Sequence, residues 1–124
     1  MDNRLGKRVL KELLPVFLPV ILILAGCSPT QSSNPKWVDQ LISTFEGEPM
    51  GNPSQSIWRY EYKGQEVYFI PAQCCDQYSK LYDASGTLIC APDGGFIGKG
   101  DGRCPDFISL RTDEVLIWKD PRTR

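Results

Sequence analysis

The 124-residue chain contains no histidine. Ser-His and Cys-His activation of a nucleophile, histidine metal sites and histidine pH switching are therefore excluded. No C-x-x-C pair occurs, which removes the thiol-oxidoreductase motif and the paired thiolate spacing of zinc sites. Positive charge is not in excess: 14 Lys and Arg stand against 15 Asp and Glu. That balance gives no electrostatic footprint for nucleic acid, and no nucleic-acid partner is expected. The Gly98-Lys99 pair has Asp93 five positions before its glycine and Gly100 after it, so the phosphate-binding loop pattern fails. EF-hand spacing is missing as well. The apolar run at 13–24 is shorter than the roughly 20 residues a membrane-spanning helix needs, and Pro15 and Pro19 interrupt it.

What the N-terminal segment does have is an export pattern. Arg4, Lys7, Arg8 and Lys11 form a basic start, and the apolar run follows directly. It ends in Leu24-Ala25-Gly26-Cys27, which resembles the bacterial lipobox. The resemblance implies cleavage before Cys27, a thioether-linked diacylglycerol on its sulfur, and acylation of the new amine, palmitate being the usual chain. Each buried lipid CH₂ contributes about 0.8 kcal/mol, so two or three chains hold a protein at a membrane surface. Asp after the cysteine retains such proteins at the inner membrane of two-membrane bacteria, so Ser28 points to the outer membrane. The expected organisation is a signal peptide at 1–26, a lipidated Cys and tether at 27–34, and one domain at 35–124. Four of the basic and two of the acidic residues precede Cys27. The remainder has ten basic and 13 acidic residues, a net charge of about −3. The polar tether at 28–34 reaches roughly 20 Å, which keeps the domain near the membrane.

Within the domain, Asn34-Pro35 reads as a helix start, with an N-cap and Pro at the first helical position. Trp37, Val38, Leu41, Ile42 and Phe45 recur at helical spacing, and Gly47 suits a left-handed cap. The stripe should pack on a sheet. Residues 57–62 and 65–70 are alternating, aromatic-rich runs around Lys63-Gly64, the signature of a β-hairpin. A two-residue turn sets Trp58 against Phe69 and Tyr60 against Val67. Trp58, Tyr60, Tyr62, Val67 and Phe69 then share the core face, and Arg59, Glu61, Tyr68 and Ile70 take the other. Pro71 ends the second strand. Asp83 and Gly86 occupy favoured places of a type I turn, which predicts a second hairpin through Cys90. Residues 114–119 read as the last strand. The expected class is α+β: one N-terminal amphipathic helix packed on an antiparallel sheet of about four to five strands, stapled by disulfides.

With Cys27 assigned to lipid, Cys74, Cys75, Cys90 and Cys104 remain, an even number that reads as two bridges in an exported domain. Three pairings are formally possible. A 74–75 bridge closes a strained eight-membered ring, which leaves 74–90 with 75–104 or 74–104 with 75–90. Either choice fastens the 71–79 segment to the second hairpin and to the Gly-rich loop at 93–102.

That loop invites two functional readings. Asp93 and Asp101, with Asp76 and Asp106, could supply oxygen ligands to calcium. Asp76 and Asp101 could instead form a carboxylate pair in an envelope enzyme. Against both stands the plainer reading: glycines at positive φ in a tight loop, with Asp residues capping its turns. Nothing in the sequence signals catalysis or a cofactor. Phe96 and Ile97 lie among glycines with no evident core role. Together with Lys99, Asp101 and Arg103 they make a candidate binding loop.

Three strings carry a wider resemblance: Ile70-Pro71-Ala72-Gln73-Cys74-Cys75-Asp76-Gln77; Leu81-Tyr82-Asp83 through Gly86 to the Ile89–Gly102 segment; and Leu116-Ile117-Trp118-Lys119-Asp120. Over roughly residues 40–122 they resemble a family of small bacterial lipoproteins catalogued as a domain of unknown function. The resemblance implies a fold unit and a location, and it brings no catalytic residue. The expectation is therefore a lipid-anchored domain of the bacterial cell envelope. It would bind or inhibit another envelope component without being an enzyme; a carboxylate enzyme and a calcium-stabilised domain are the alternatives.

Overall fold

The computed structural model describes Gly26, residues 33–74 and residues 76–123. The signal segment, Cys27 and most of the tether lie outside the described residues, as does Cys75. The chain runs α1 (Lys36–Gly47), β1 (Ser56–Tyr62), β2 (Gln65–Ile70), β3 (Lys80–Asp83), β4 (Leu88–Cys90), α2 (Phe107–Leu110) and β5 (Thr112–Lys119). The five strands form one antiparallel sheet in the order β4-β3-β2-β1-β5. This is the expected α+β class. The helix sits at 36–47, well inside the chain, and it is N-terminal only to the sheet it covers.

Local chemistry explains the hairpins. Lys63 and Gly64 both have positive φ, at 51° and 75°, the backbone of a type I′ turn that matches strand twist. The register follows: Trp58 pairs with Phe69 and Tyr60 with Val67. At the second hairpin the Asp83 carbonyl accepts the Gly86 amide at 3.1 Å. The Asp83 carboxylate accepts the amides of Ser85 and Thr87, both at 2.9 Å. Those bonds, with the Ser85 hydroxyl foremost, hold its carboxyl below the usual range.

Each face of the sheet carries a core of its own. Tyr60, Tyr62, Val67, Phe69 and Leu81 form one layer with Cys90, Cys104 and Phe107, and Trp58 packs against it. This is the face expected to be the core side. The opposite face carries Ile57, Tyr68 and Ile70 under α1, whose Val38 is fully buried among them. The alternation of β2 therefore separates two cores and does not divide core from solvent. Phe107 belongs to α2, an element the periodicity did not reveal because it is only four residues long.

Two helix-end expectations need correction. Asn34 makes no capping bond to the backbone; its amide donates to Asp39 Oδ1 at 3.4 Å, and Pro35 is the boundary residue. Gly47 is the last helical residue, and the next residue, Glu48, is extended, so no left-handed cap forms. Arg122 takes over that end. Its guanidinium donates to the carbonyls of Phe45 at 3.1 Å and Glu48 at 2.9 Å, beside the Glu48 amide that also donates to Phe45. The same guanidinium grips the buried Asp120 carboxylate, with Nη2 at 2.7 Å and Nε at 2.9 Å. Thus the chain end after β5 clamps the end of α1.

This clamp has a pH signature. Arg122 holds the Asp120 carboxyl below its ordinary value. Unfolded Asp titrates near about 3.9, so the folded state favours the ionised form. The clamp's contribution is complete above about pH 4 and is lost as pH falls through the lower folded pKa. Thermal midpoints measured from pH 6 to pH 2 should fall on acidification in the wild type. In Arg122→Ala the buried carboxylate keeps only the residue-122 backbone amide, at 3.0 Å, so that decline should flatten. Parallel profiles for the two proteins would refute the assignment.

Candidate functional site: a stapled glycine loop

The Gly-rich segment leaves β4 at Cys90 and returns to the sheet at Cys104. A disulfide joins these two residues, with Cα atoms 6.2 Å apart. Both cysteines are buried in the layer beneath Phe107. Above this base the two limbs are laced by backbone bonds. The Asp101 amide donates to the Ala91 carbonyl at 2.9 Å, and Gly100 donates to Gly94 at 3.0 Å. Gly100 must be glycine: with φ at 68°, a Cβ there would lie 1.9 Å from the Ala91 oxygen.

A third set of bonds ties the loop to the segment before β3. Gly95 donates to the Gln77 carbonyl at 3.1 Å, and the Ser79 amide donates to the Asp93 carbonyl at 3.1 Å. The fully buried Ser79 hydroxyl also bonds both Asp93 backbone groups, at 3.1 Å each. Ser79 is thus a structural tie. The sequence offered no signal for it beyond a small polar residue before a strand.

The cysteine expectation is corrected here. Neither predicted pairing occurs, because Cys90 and Cys104 bond to each other. Cys74 is also disulfide-bonded. The predicted fastening of residues 71–79 to the loop is real, but hydrogen bonds provide it, from Gly95 to the Gln77 carbonyl and from Ser79 to the Asp93 carbonyl. Counting cysteines could not choose among pairings, because β4 and the returning limb come together only in the folded sheet.

At the tip the Gly98 amide closes on the Gly95 carbonyl at 3.1 Å, a four-residue turn with Phe96 and Ile97 at its centre. Phe96 is 90% exposed and Ile97 72% exposed. Lys99, Asp101 and Arg103 are exposed beside them. The Asp101 carboxylate accepts the Arg103 amide at 3.0 Å, and that bond lowers its pKa. The five residues singled out from the sequence therefore sit on one short, tied loop.

The carboxylates do not assemble a site. Asp76 and Asp101 are exposed, and Asp106 is engaged by Lys63 at 2.8 Å and by the Tyr62 hydroxyl. Those two partners hold the Asp106 carboxyl below the usual range. Among the described residues no group of three or more His, Cys, Asp or Glu is placed to hold a metal ion. Asp93 contributes both of its backbone groups to Ser79. Two tyrosines titrate high: burial, then acceptance by Glu114 and Glu66, pushes Tyr60 and Tyr68 up to about 12. Neither is poised for proton transfer near neutral pH.

With this geometry in view, one comparison is decisive. A family model described as Domain of unknown function (DUF6970) matches residues 43–120. The chain belongs to that family. The match runs from the middle of α1 to the residue after β5, so the DUF6970 unit includes the whole sheet, the stapled loop and Asp120. No curated protein and no solved structure matches the chain. Among the described residues no helix is long and apolar enough to cross a membrane.

Proposed function

We propose that this DUF6970 protein is a bacterial envelope lipoprotein, anchored through Cys27, whose domain binds another envelope component with the tip of the stapled loop. The observation that carries the binding reading is the exposure of Phe96 and Ile97 on a turn held by a disulfide, a backbone ladder and the Ser79 tie. Apolar side chains on a pre-ordered loop lose little entropy on association, which favours recognition. Lys99 and Arg103 beside the tip would add charge selection for the partner. The anchor reading rests on the basic start, the apolar run and Leu24-Ala25-Gly26-Cys27. Asp76 and Asp101 are exposed, and among the described residues no three candidate ligands cluster, which counts against the enzyme and calcium alternatives.

Two variants of the full chain test this reading. A clickable palmitate analogue should label the wild type in cells and fail to label Cys27→Ala. Phe96→Asp with Ile97→Asp should keep the thermal midpoint within about 2 °C, since little buried surface is lost. The same variant should lose crosslinks to the envelope component that the wild type captures in vivo. A midpoint drop above about 8 °C would make the pair core residues, and unchanged crosslinking would remove the loop from recognition.

A further inference from the structure

β5 is the longest strand and lies at one edge of the sheet, while the stapled loop departs from β4 at the other. Its ladder partner is β1, and among the described residues no backbone bond reaches residues 112–119 from any other segment. An uncovered edge strand presents a row of N–H and C=O groups that can pair with a further strand. The opposite edge offers less, because β4 is only three residues long and runs directly into the tied loop.

Apolar surface collects at the same place. Eight large apolar residues are exposed among the described residues, and four of them, Ile108, Leu110, Val115 and Leu116, fall between positions 108 and 116. Val115 and Leu116 oppose the consecutive residues Arg59 and Trp58, so they point to opposite faces of the sheet. Both faces are therefore bare at the middle of this edge, with Val115 38% and Leu116 45% exposed. Edge strands that stay unpaired usually carry charge or proline at such positions.

Charge identifies the occupant. The strand reads Thr112-Asp113-Glu114-Val115-Leu116-Ile117-Trp118-Lys119, with its acids first and its base last. That order is complementary to itself when the second strand runs antiparallel. Pairing centred on Leu116 sets Asp113 of each copy against Lys119 of the other, Val115 against Ile117, and Leu116 against its own copy. Glu114 is already engaged by the Tyr60 hydroxyl at 2.9 Å. Asp113 and Lys119 have no ion-pair partner among the described residues, and this pairing would supply one to each. A parallel arrangement would set like charges against each other at both ends.

We propose that β5 is a self-association surface, through which two copies join antiparallel about a two-fold axis at Leu116. The two five-stranded sheets become one continuous sheet. The assembly closes at two copies, because each chain has one long edge to offer. Irregularities in the β1–β5 ladder on either side of Trp58 and Arg59 keep the regular stretch short, so association is reversible. The interface is separate from the Cys27 anchor, and the stapled loops leave from the two outer β4 edges with their Phe96 tips accessible.

Sedimentation equilibrium of the full chain in density-matched detergent should fit a reversible monomer–dimer equilibrium. Leu116→Lys and Leu116→Glu each set like charges face to face at the axis and should weaken association at least about tenfold. An equimolar mixture of these two variants sets Lys against Glu and should recover the dimer, which lost apolar surface alone would not allow. Lys119→Glu alters an exposed side chain, so the fold should persist, and it should also weaken association by setting acid against Asp113. Thermal midpoints near the wild-type value establish that each variant is folded. A wild type that sediments as a monomer at tens of micromolar would leave the edge to a strand of another protein and overturn the proposal. Wild-type association in Leu116→Lys and Lys119→Glu, or a mixture no tighter than either Leu116 variant alone, would also overturn it.

Discussion

Phe107→Ala is expected to cost about 3–5 kcal/mol, the usual range for a buried phenylalanine truncated to alanine. Phe107 is fully buried, and it is the residue that three other rings share. Tyr60 and Tyr62 meet it edge-on, with centroids at 5.6 and 5.4 Å, and Phe69 lies 5.4 Å away. The Arg111 guanidinium adds a contact 5.6 Å from its centroid. The rings come from β1 and β2 and the guanidinium from the residue that ends α2, so they cannot close over a void together. A domain of this size has about 5–15 kcal/mol of stability in total, so the loss approaches the whole. Urea unfolding should show the midpoint falling, with a melt at least about 12 °C lower. Phe107→Leu keeps most of the volume and should cost less than about 1.5 kcal/mol. Equal behaviour of the two variants would mean that α2 does not contribute to the core.

The second large effect is expected from the bridge. Replacing both Cys90 and Cys104 with Ala opens a loop of 14-residue separation. Chain-entropy reasoning gives about 3 kcal/mol for a loop of that length. The consequence for function is local order. Without the base, only the backbone ladder and the Ser79 tie restrain the tip. Amide exchange at Gly98, Gly100 and Asp101 should accelerate by more than the global loss of stability explains. If those amides exchanged at the global rate in both proteins, the disulfide would stabilise the fold without ordering the tip. Binding by Phe96 and Ile97 should weaken in step with the local loosening, because the entropy of ordering the tip would then be lost on association.

The hairpins were legible because their causes are local. The period-2 pattern of residues 57–70 and the Lys63-Gly64 turn together specify the register that pairs Trp58 with Phe69. Asp83 and Gly86 specify the next turn by hydrogen bonds within four residues. The helical stripe of α1 needed only its own spacing. The loop tip was legible for a related reason. An apolar pair flanked by glycines has nowhere local to bury itself, and Phe96 and Ile97 indeed remain exposed.

Other features depend on residues far apart in the chain. β5 joins the edge of β1, so the pairing of Ser56 with Lys119 spans nearly the whole domain. The clamp of Arg122 on Phe45 and Glu48 crosses a similar distance. Cys90 chooses Cys104 because the sheet and α2 bring those limbs together, not because of their spacing. The burial of Tyr68 beneath α1 turns an apparent outer face into a second core.

The amino-acid sequence by itself determined the strands, their turns, the exposed glycine-flanked tip and, through missing histidine, the chemistries the chain lacks. The tertiary structure alone decided the strand order, the Cys90–Cys104 bridge, the second core and the Arg122 clamp on α1. The division has one physical cause. Backbone periodicity and turn chemistry act over a few residues and leave a local pattern. Contacts between distant segments are settled by competition for the same buried surface, which no local pattern records.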